Sequence, residues 1–527
     1  MGWLTDIGQK VGLLKRVEKP PAQPVMVNVS RVRRYDAAMP SNLTSDWLAW
    51  NTTANYEIYA AWRLATYRAR DLERNNPHAK AFLRELCSNV LGATGIQFES
   101  KVRMQRGGEL NEKVNTAAKR AWLDFRRRGN FDVTGTVSGL KFDRLVLRSI
   151  ARDGEALIRI VRGYPNKYRL AFQLVEPDYL DLWHNAVLDI NTGVRVTMGV
   201  EVDKWGKPLA YHCFEQSQQD LFANNSTMKH IRIPASDIIH IFLQERATQC
   251  RGMTWFAPTE IKMRMLDRYE EATAVAMRTA SAKMGFLQQD KDATTYKGQG
   301  NLPSGELIEE VSPGMIVELP PGVKFEKFDP TNPSENYSDF RKSALRSIAS
   351  GLGMMYNNLG NDLESTNYSS SRFGRAIEVE NWRDLQRFTS EDYLQLVANV
   401  FFDQNILTGV VPELVDYTEQ IKENTRWKPR GWAYVDPDKD GKAAANGIDM
   451  GLTTRRRELE EQGLDIDEVY EELAEDIKRQ KKWGITFVNA YSRQPEVQST
   501  EEDPNATGAE VVAPKNGTNG NNQPARK

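Results

Sequence analysis

Apolar residues recur at helical spacing in two blocks of this chain, and between them lies a stretch patterned like strands. From Tyr56 to Leu91 the pattern is helical, interrupted near Asn75-Asn76-Pro77 and closed by Gly92, where a terminating glycine belongs. Residues 109–128 predict a second helical stretch with arginines on its outer side. Ala156–Val161, Arg169–Val175 and Gly199–Asp203 read as strands. The last of these enters a turn at Lys204–Pro208 and returns through Ala210–Phe214 as a hairpin, and Ile238–Phe242 closes a mixed region. Pro258 then opens a helix to about Met284. Its inward positions are read as Ile261, Met265 and Tyr269, followed by the small Ala272, Ala276 and Ala280, which allow close helix approach.

Residues 287–331 carry Gly, Pro and short apolar runs (Met315–Leu319, Val323–Phe325), a small β-rich excursion between two helices. The second of those helices is announced by Asn332-Pro333-Ser334-Glu335, with an Asn cap, Pro at the first helical position and Glu placed for a capping box. Phe340, Ala344, Leu345, Ile348 and Leu352 give it one apolar face, and Gly351 and Gly353 loosen its end. Tyr356–Ser371 is rich in Asn, Ser and Thr, which compete with helix and favour a polar loop. Helical spacing resumes with Phe373, Ile377, Leu385, Phe388, Val397 and Phe401, and residues 384–482 are expected to be helical throughout. Beyond Gly484 the composition turns to Asn, Gly, Pro, Thr and Glu, that of a disordered tail. The fold class expected is therefore α+β.

At 527 residues the chain exceeds the ~250–300 at which single cores stop growing, so several domains are expected. Seventy basic against 71 acidic side chains give a net charge of −1, unlike a protein built mainly to grip DNA. The charge is segregated. Residues 1–34 hold seven basic and two acidic groups, residues 101–128 hold nine and three, and Glu458–Asp476 holds ten acidic groups and no basic one. Such blocks point to surfaces that meet different partners. Cys87, Cys213 and Cys250 stand singly, which fits a reducing compartment and excludes a disulfide scaffold or zinc ribbon. No apolar run reaches the ~18 residues of a membrane span, and no signal peptide or myristoylation pattern opens the chain.

Candidate chemistry falls short at each place it is approached. Asp436–Ala443 has the Gly-Lys of a phosphate loop but neither the leading glycine nor the hydroxyl. The same stretch puts Asp436, Asp438, Asp440 and Gly441 at calcium-loop positions one, three, five and six, yet position twelve is Gly447 in place of a bidentate Glu. His78, His184, His212, His230 and His240 are scattered singly. Asp362 and Glu364 form a carboxylate pair without a third ligand. No catalytic residue, metal site or cofactor is expected.

Several segments together resemble the lambda family of bacteriophage portal proteins, over roughly residues 30–480. They are Arg68–Pro77, Asn89–Ile96, Asp153–Ala156, Val175–Asp178, Gly199–Pro208 with Ala210–His212, Pro234–His240, Arg251–Pro258, Asn367–Ser370 and Gly463–Asp467. No one of these motifs is specific, but their order along the chain is. The resemblance implies a ring, commonly dodecameric, at one capsid vertex. Double-stranded DNA would pass it without sequence readout, driven by the terminase large subunit and later ejected towards a head–tail adaptor. It also implies contacts with capsid and scaffold proteins, a place in the virion after assembly in the host cytoplasm, no membrane and no enzymatic activity. The rival readings are a magnesium-dependent nuclease and a capsid adaptor without a channel.

By order of elements, the resemblance implies an N-terminal arm (1–49), an α/β wing (50–257), a first stem helix (258–286) and a clip (287–331). A second stem helix (332–355), a channel loop (356–371), a long wing helix (372–405), a helical crown (406–483) and the tail (484–527) follow. The channel loop would present Asn357, Asn358, Asn361, Asp362, Glu364, Thr366, Asn367 and Ser369 to DNA. It has no basic residue, and Arg372 and Arg375 follow at the start of the next helix.

Overall fold

Asn76 joins the first two helices by serving both. Its backbone N–H closes α1 (Ala54–Asn75) on Leu72, while its side chain accepts from Ala79 N at 2.8 Å to cap α2 (Pro77–Val90). Pro77 sits at the first helical position, where its missing N–H costs nothing. This is a computed structural model, and it describes residues 51–485 apart from 105–107, 216–229, 282–284, 290–322, 328–333, 365–366 and 435. The expected arm (1–49), most of the expected clip with its Met315–Leu319 run, the Asn332-Pro333 signal, Thr366 and nearly all of the expected tail lie outside the described residues. Among the described residues no helix is long and apolar enough to cross a membrane.

The chain divides into two compact units, Met1–Trp427 and Lys428–Lys527. In the first, α3 (Glu112–Phe125) and α4 (Gly139–Asp153) follow the short strand β1 (Gln97–Ser100). A three-stranded antiparallel sheet has β2 (Glu155–Arg162) between β3 (Leu170–Val175) and β9 (Ile238–Phe242). A five-stranded antiparallel sheet runs in chain order from β4 (Ala186–Asp189) and β5 (Val194–Thr197) through β6 (Val200–Val202) and β7 (Pro208–Phe214) to β8 (His230–Pro234). The hairpin read at Lys204–Pro208 is the β6–β7 connection. The sequence reading did not place β1, β4, β5 or β8. For β4–β5 a signal existed, because Asp189 accepts from Asn191 N and Thr192 Oγ1 and builds the tight Asn-Thr-Gly turn between them.

Apolar clusters hold this unit together. Between the sheets, Leu157, Val200, Val202, Tyr211, Cys213 and Ile238 are buried on one another. On the helical side, Phe125 stacks on Phe401 at 4.5 Å and is met edge-on by Tyr168 and Phe172. Trp122 contacts Phe98, Phe401 and Trp427. Edge-to-face and offset pairs of this kind add about 0.5–1.5 kcal/mol each beyond the area they bury.

Where the sheets hand over to the next helix, the backbone passes through a buried ionic knot. Glu155, which begins β2, receives the Arg251 guanidinium at 2.5–2.7 Å, His240 Nε2 at 3.0 Å and the Gly252 amide at 3.0 Å. Arg251 also donates to the Met198 and Pro177 carbonyls and lies over the Trp62 ring. His240 lies in the apolar run of β9, and its side-chain partner is Glu155. The two backbone segments pass so closely that a Cβ on Gly252 would stand 2.0 Å from Gly154 O. Gly154, at φ 93°, ends α4 in the left-handed conformation.

Downstream come α5 (Glu260–Ser281), a two-stranded antiparallel pair β10 (Gly285–Gln289) and β11 (Val323–Lys327), and α6 (Ser334–Gly351). The inward face expected for α5 is corrected in part, since Tyr269 does pack on α6. Met263 and Leu266 are buried, whereas Ile261 is 68% and Met265 61% exposed, and Ala272 is exposed too. The helix carries two apolar stripes, and within one chain only the stripe containing Met263 is covered. Residues 384–482 are not continuously helical either. A π-helical segment (Thr389–Leu394) precedes α9 (Gln395–Thr408), which Gly409 terminates at φ 61°. A 3-10 turn at Pro412–Tyr417, α10 (Thr418–Glu423) and a strand at Thr425–Lys428 follow. Gly409 and Pro412 are the helix breakers that the apolar periodicity concealed.

The second unit consists, among its described residues, of α11 (Pro437–Asp449), α12 (Arg455–Glu461) and α13 (Ile466–Trp483), none of which has a fully buried side chain. Its acidic and basic groups pair locally, as in Arg456–Glu460 and Arg479–Glu475.

Candidate functional site

The segment singled out as a polar loop is built largely by helix ends. Helices α5 and α6 pair through Tyr269, which stacks on Tyr337 and contacts Phe340, and through an Arg341–Glu270 ion pair at 2.8 Å. Gly351, at the end of α6, passes so close to Thr259 that a Cβ there would meet it at 2.6 Å. Gly353, at φ 69°, then turns the chain into a five-residue helix α7 (Tyr356–Gly360). The next long helix, α8 (Tyr368–Phe388), begins four residues earlier than the expected start at Arg372, with Asn367 at its cap position. Little irregular chain remains between them. The Asn-rich composition marks caps and turns here, which the sequence reading merged into one loop.

The expected residues therefore occupy distinct settings. Asn357 is half-buried in α7, and its carbonyl accepts from the Asn361 and Asp362 amides. Asn358 donates to Glu378 Oε2 at 2.6 Å and so ties α7 to α8. Asn361 ends α7 in the left-handed region at φ 49°, ψ 40°, which Asn tolerates better than most residues. Asp362 accepts from the Tyr356 hydroxyl at 2.5 Å and from Glu364 N at 3.1 Å, with Lys342 Nζ at 3.8 Å. Those contacts, the Tyr356 hydroxyl first, hold its carboxyl below the ordinary carboxylate range. Glu364 and Asn367 are exposed. Thr366 and the side chain of Ser369 lie outside the description. Arg372 and Arg375 are exposed in the second turn of α8, one turn beyond the helix start.

Beneath this exposed rim the packing is dense. Leu359 is buried and its carbonyl meets His78 Nδ1 at 3.3 Å, which anchors α7 to α2. Gly374 of α8 lies against Met355, leaving 2.5 Å for any Cβ. Glu378 is 5% exposed, and its carboxyl is pushed up, by burial first, against the pull of a backbone hydrogen bond at Met355 and of Asn358. The outer side of α8 carries Phe373 (71% exposed) and Ile377 (54% exposed).

The near-miss motifs resolve into structural roles. Asp362 and Glu364 form a local turn, and among the described residues no third ligand stands with them. Asp436 caps α11 by accepting from Lys439 N, while Asp440 accepts from Asp436 N. The two contacts close the helix start reciprocally and use two of the carboxylates a calcium loop would need.

Comparison with known proteins adds the following. The family described as "Phage portal protein, lambda family" matches residues 41–387. The probable portal protein of Halomonas phage phiHAP-1 is 33% identical over 97% of this chain and all of its own length. Portal protein B of Escherichia phage lambda is 22% identical over 83% of this chain and 88% of its own. Among solved structures, a chain from the neck of an empty GTA particle is similar at 13% identity and a TM-score of 0.42, covering 76% of this chain and 94% of that one.

Proposed function

This chain belongs to the lambda family of phage portal proteins, and from that premise we propose that it forms a ring-shaped channel for double-stranded DNA at a capsid vertex. DNA is driven inward by a terminase motor, leaves later towards a head–tail adaptor, and undergoes no chemistry in the channel. The observation that carries this reading is the α5–α6–α7–α8 assembly. Paired helices lead to a tight, exposed, acid- and amide-lined turn, and apolar side chains on α5 and α8 (Ile261, Met265, Phe373, Ile377) remain uncovered in one chain. Exposed apolar stripes on otherwise well-packed helices suit contacts between copies, and heterologous contacts that close produce a ring.

In this reading residues 356–371 with Arg372 and Arg375 face the DNA, residues 287–331 meet the terminase and adaptor, and the wing meets capsid and scaffold proteins. The ring has twelve copies, is assembled in the host cytoplasm and remains in the virion. Among the carboxylates that would serve a nuclease, Asp362 is engaged in a turn and Asp436 and Asp440 in a helix cap, so the channel reading is preferred to it. Imaging the purified full chain tests the proposal. Closed rings with a central hole are expected, and a chain that stays monomeric at micromolar concentration in moderate salt overturns it.

A further inference from the structure

Helix α1 and the chain at 178–183 enclose an open pocket of about 400 Å³. Its walls include Trp62, Leu180, Leu182 and Phe214, each 2–6% exposed, with Trp183, 54% exposed, at the rim. Tyr59 meets the Trp183 ring edge-on at 5.2 Å. The rest of the lining is mostly polar. Arg63 lies 5.7 Å from the centroid of the Tyr67 ring. Asp178 gives Oδ2 to Arg70 at 2.5 Å, while its Oδ1 makes no hydrogen bond among the described residues. Trp62 likewise keeps its indole N–H buried without an acceptor among the described residues. The pocket stands at the small end of the ~300–1,000 Å³ of ligand pockets, and part of its space is open solvent, so it has room for one large side chain.

We infer that this pocket is a dock for the indole of Trp47 of the same copy, which straps the N-terminal segment back along α1. Trp47 lies outside the described residues, which begin at Asn51. The chain just after it is anchored, because Arg246 donates to Thr52 O at 3.1 Å and Asn55 Nδ2 to Thr248 O at 2.9 Å. From Thr52 to the level of Trp62 is about 15 Å along the helix. The five residues back to Trp47 span up to ~17 Å, whereas the two back to Trp50 span only ~7 Å. Reach therefore selects Trp47. Between anchor and pocket stand Tyr56, 63% exposed, and Tyr59, on the same helix face as Arg63. They form an aromatic track for a returning segment. An indole in the pocket meets aromatic walls, can donate its N–H to Asp178 Oδ1, and offers its ring face to the Arg63 guanidinium. Other stretches outside the description fit less well. Trp3 stands 49 residues from Thr52, a tether whose effective concentration at the pocket is far lower, and the chain beyond Tyr491 has no aromatic residue. The docked indole would fasten the N-terminal arm to the first unit.

The test places the photocrosslinker p-benzoylphenylalanine at position 47 of the full chain, with position 50 as control, and maps the products by mass spectrometry. Crosslinks from position 47 to residues 62–67, 178–183 or 214 within one copy are expected, and none of these from position 50. Mixing isotopically light and heavy chains separates crosslinks within a copy from those between copies. A second measurement uses free indole as the probe. Trp47→Ala should lower the unfolding midpoint by about 2–4 °C, and indole in excess should restore it while leaving the wild-type midpoint unchanged. Crosslinks from position 47 that avoid the pocket overturn the proposal. Crosslinks into the pocket that join different copies also overturn it, since a neighbour then fills the site. So does an equal response of wild type and Trp47→Ala to indole, which would show the pocket empty in the intact chain.

Discussion

Burial by itself would push the Glu155 carboxyl upward, but Arg251 and His240 outweigh it and bring the group down to about 2. Its folded pKa is thus depressed below the unfolded value of 4.5. The corresponding stability is fully present above about pH 5 and is lost as pH falls through the folded pKa. Titration of the wild-type chain from pH 6 to pH 2.5 should show the urea midpoint of the first unit falling over that window. Glu155→Gln should lower the midpoint at pH 7 by the equivalent of about 3–5 kcal/mol, because Arg251 is left buried without its counter-charge. It should also flatten the acid limb, and an undiminished acid limb in this variant would assign the pH dependence to other carboxylates. Gly252→Ala is the steric counterpart. A methyl 2.0 Å from Gly154 O has no room without moving the backbone, so a sharp fall in soluble yield is expected, against little change for Gly441→Ala, whose Cβ meets nothing.

At the scale of elements, the α7–α8 contact has its own titration. Glu378 is an acid whose pKa is raised in the folded chain, chiefly by burial, so it costs stability as pH rises above the unfolded carboxylate value. Glu378→Gln keeps the shape and an acceptor for Asn358. Its thermal midpoint should exceed the wild-type value at pH 8, and the gap should close towards pH 5; a constant gap would show that ionisation is not its origin. Much of this architecture was legible from the chain. The Asn76-Pro77 junction, the β6–β7 hairpin and the end of α6 were readable because caps, turns and glycines act locally. The boundary of α8 was not, because Asn and Ser serve caps and loops alike. The covered face of α5 was misread for a related reason. Periodicity reports that a stripe is apolar, while the neighbour that covers it is a tertiary fact.

For the whole molecule, charge separates what holds the protomer from the turn proposed to meet DNA. Part of the basic block at 101–128 is spent inside the first unit, where Arg126 pairs with Asp143 and Arg127 with Asp124. In the acidic block, Glu460 and Glu475 have local arginine partners. The turn between α7 and α8 is different, because it exposes Asn361 and Glu364 with no lysine or arginine until Arg372. A channel that passes a polyanion both ways is best served by shallow contacts, since each phosphate neutralised adds affinity that must be released before DNA moves on. The proposed role of this turn is therefore to steady DNA by shape and amide contacts, with Arg372 and Arg375 touching phosphates only in passing. A photocrosslinker at Asn361 should label DNA in filled particles. Glu364→Lys should retain DNA at low salt and slow its exit, an effect that fades as salt is raised. Unlabelled DNA at position 361, together with unchanged exit in Glu364→Lys, would remove this turn from the channel.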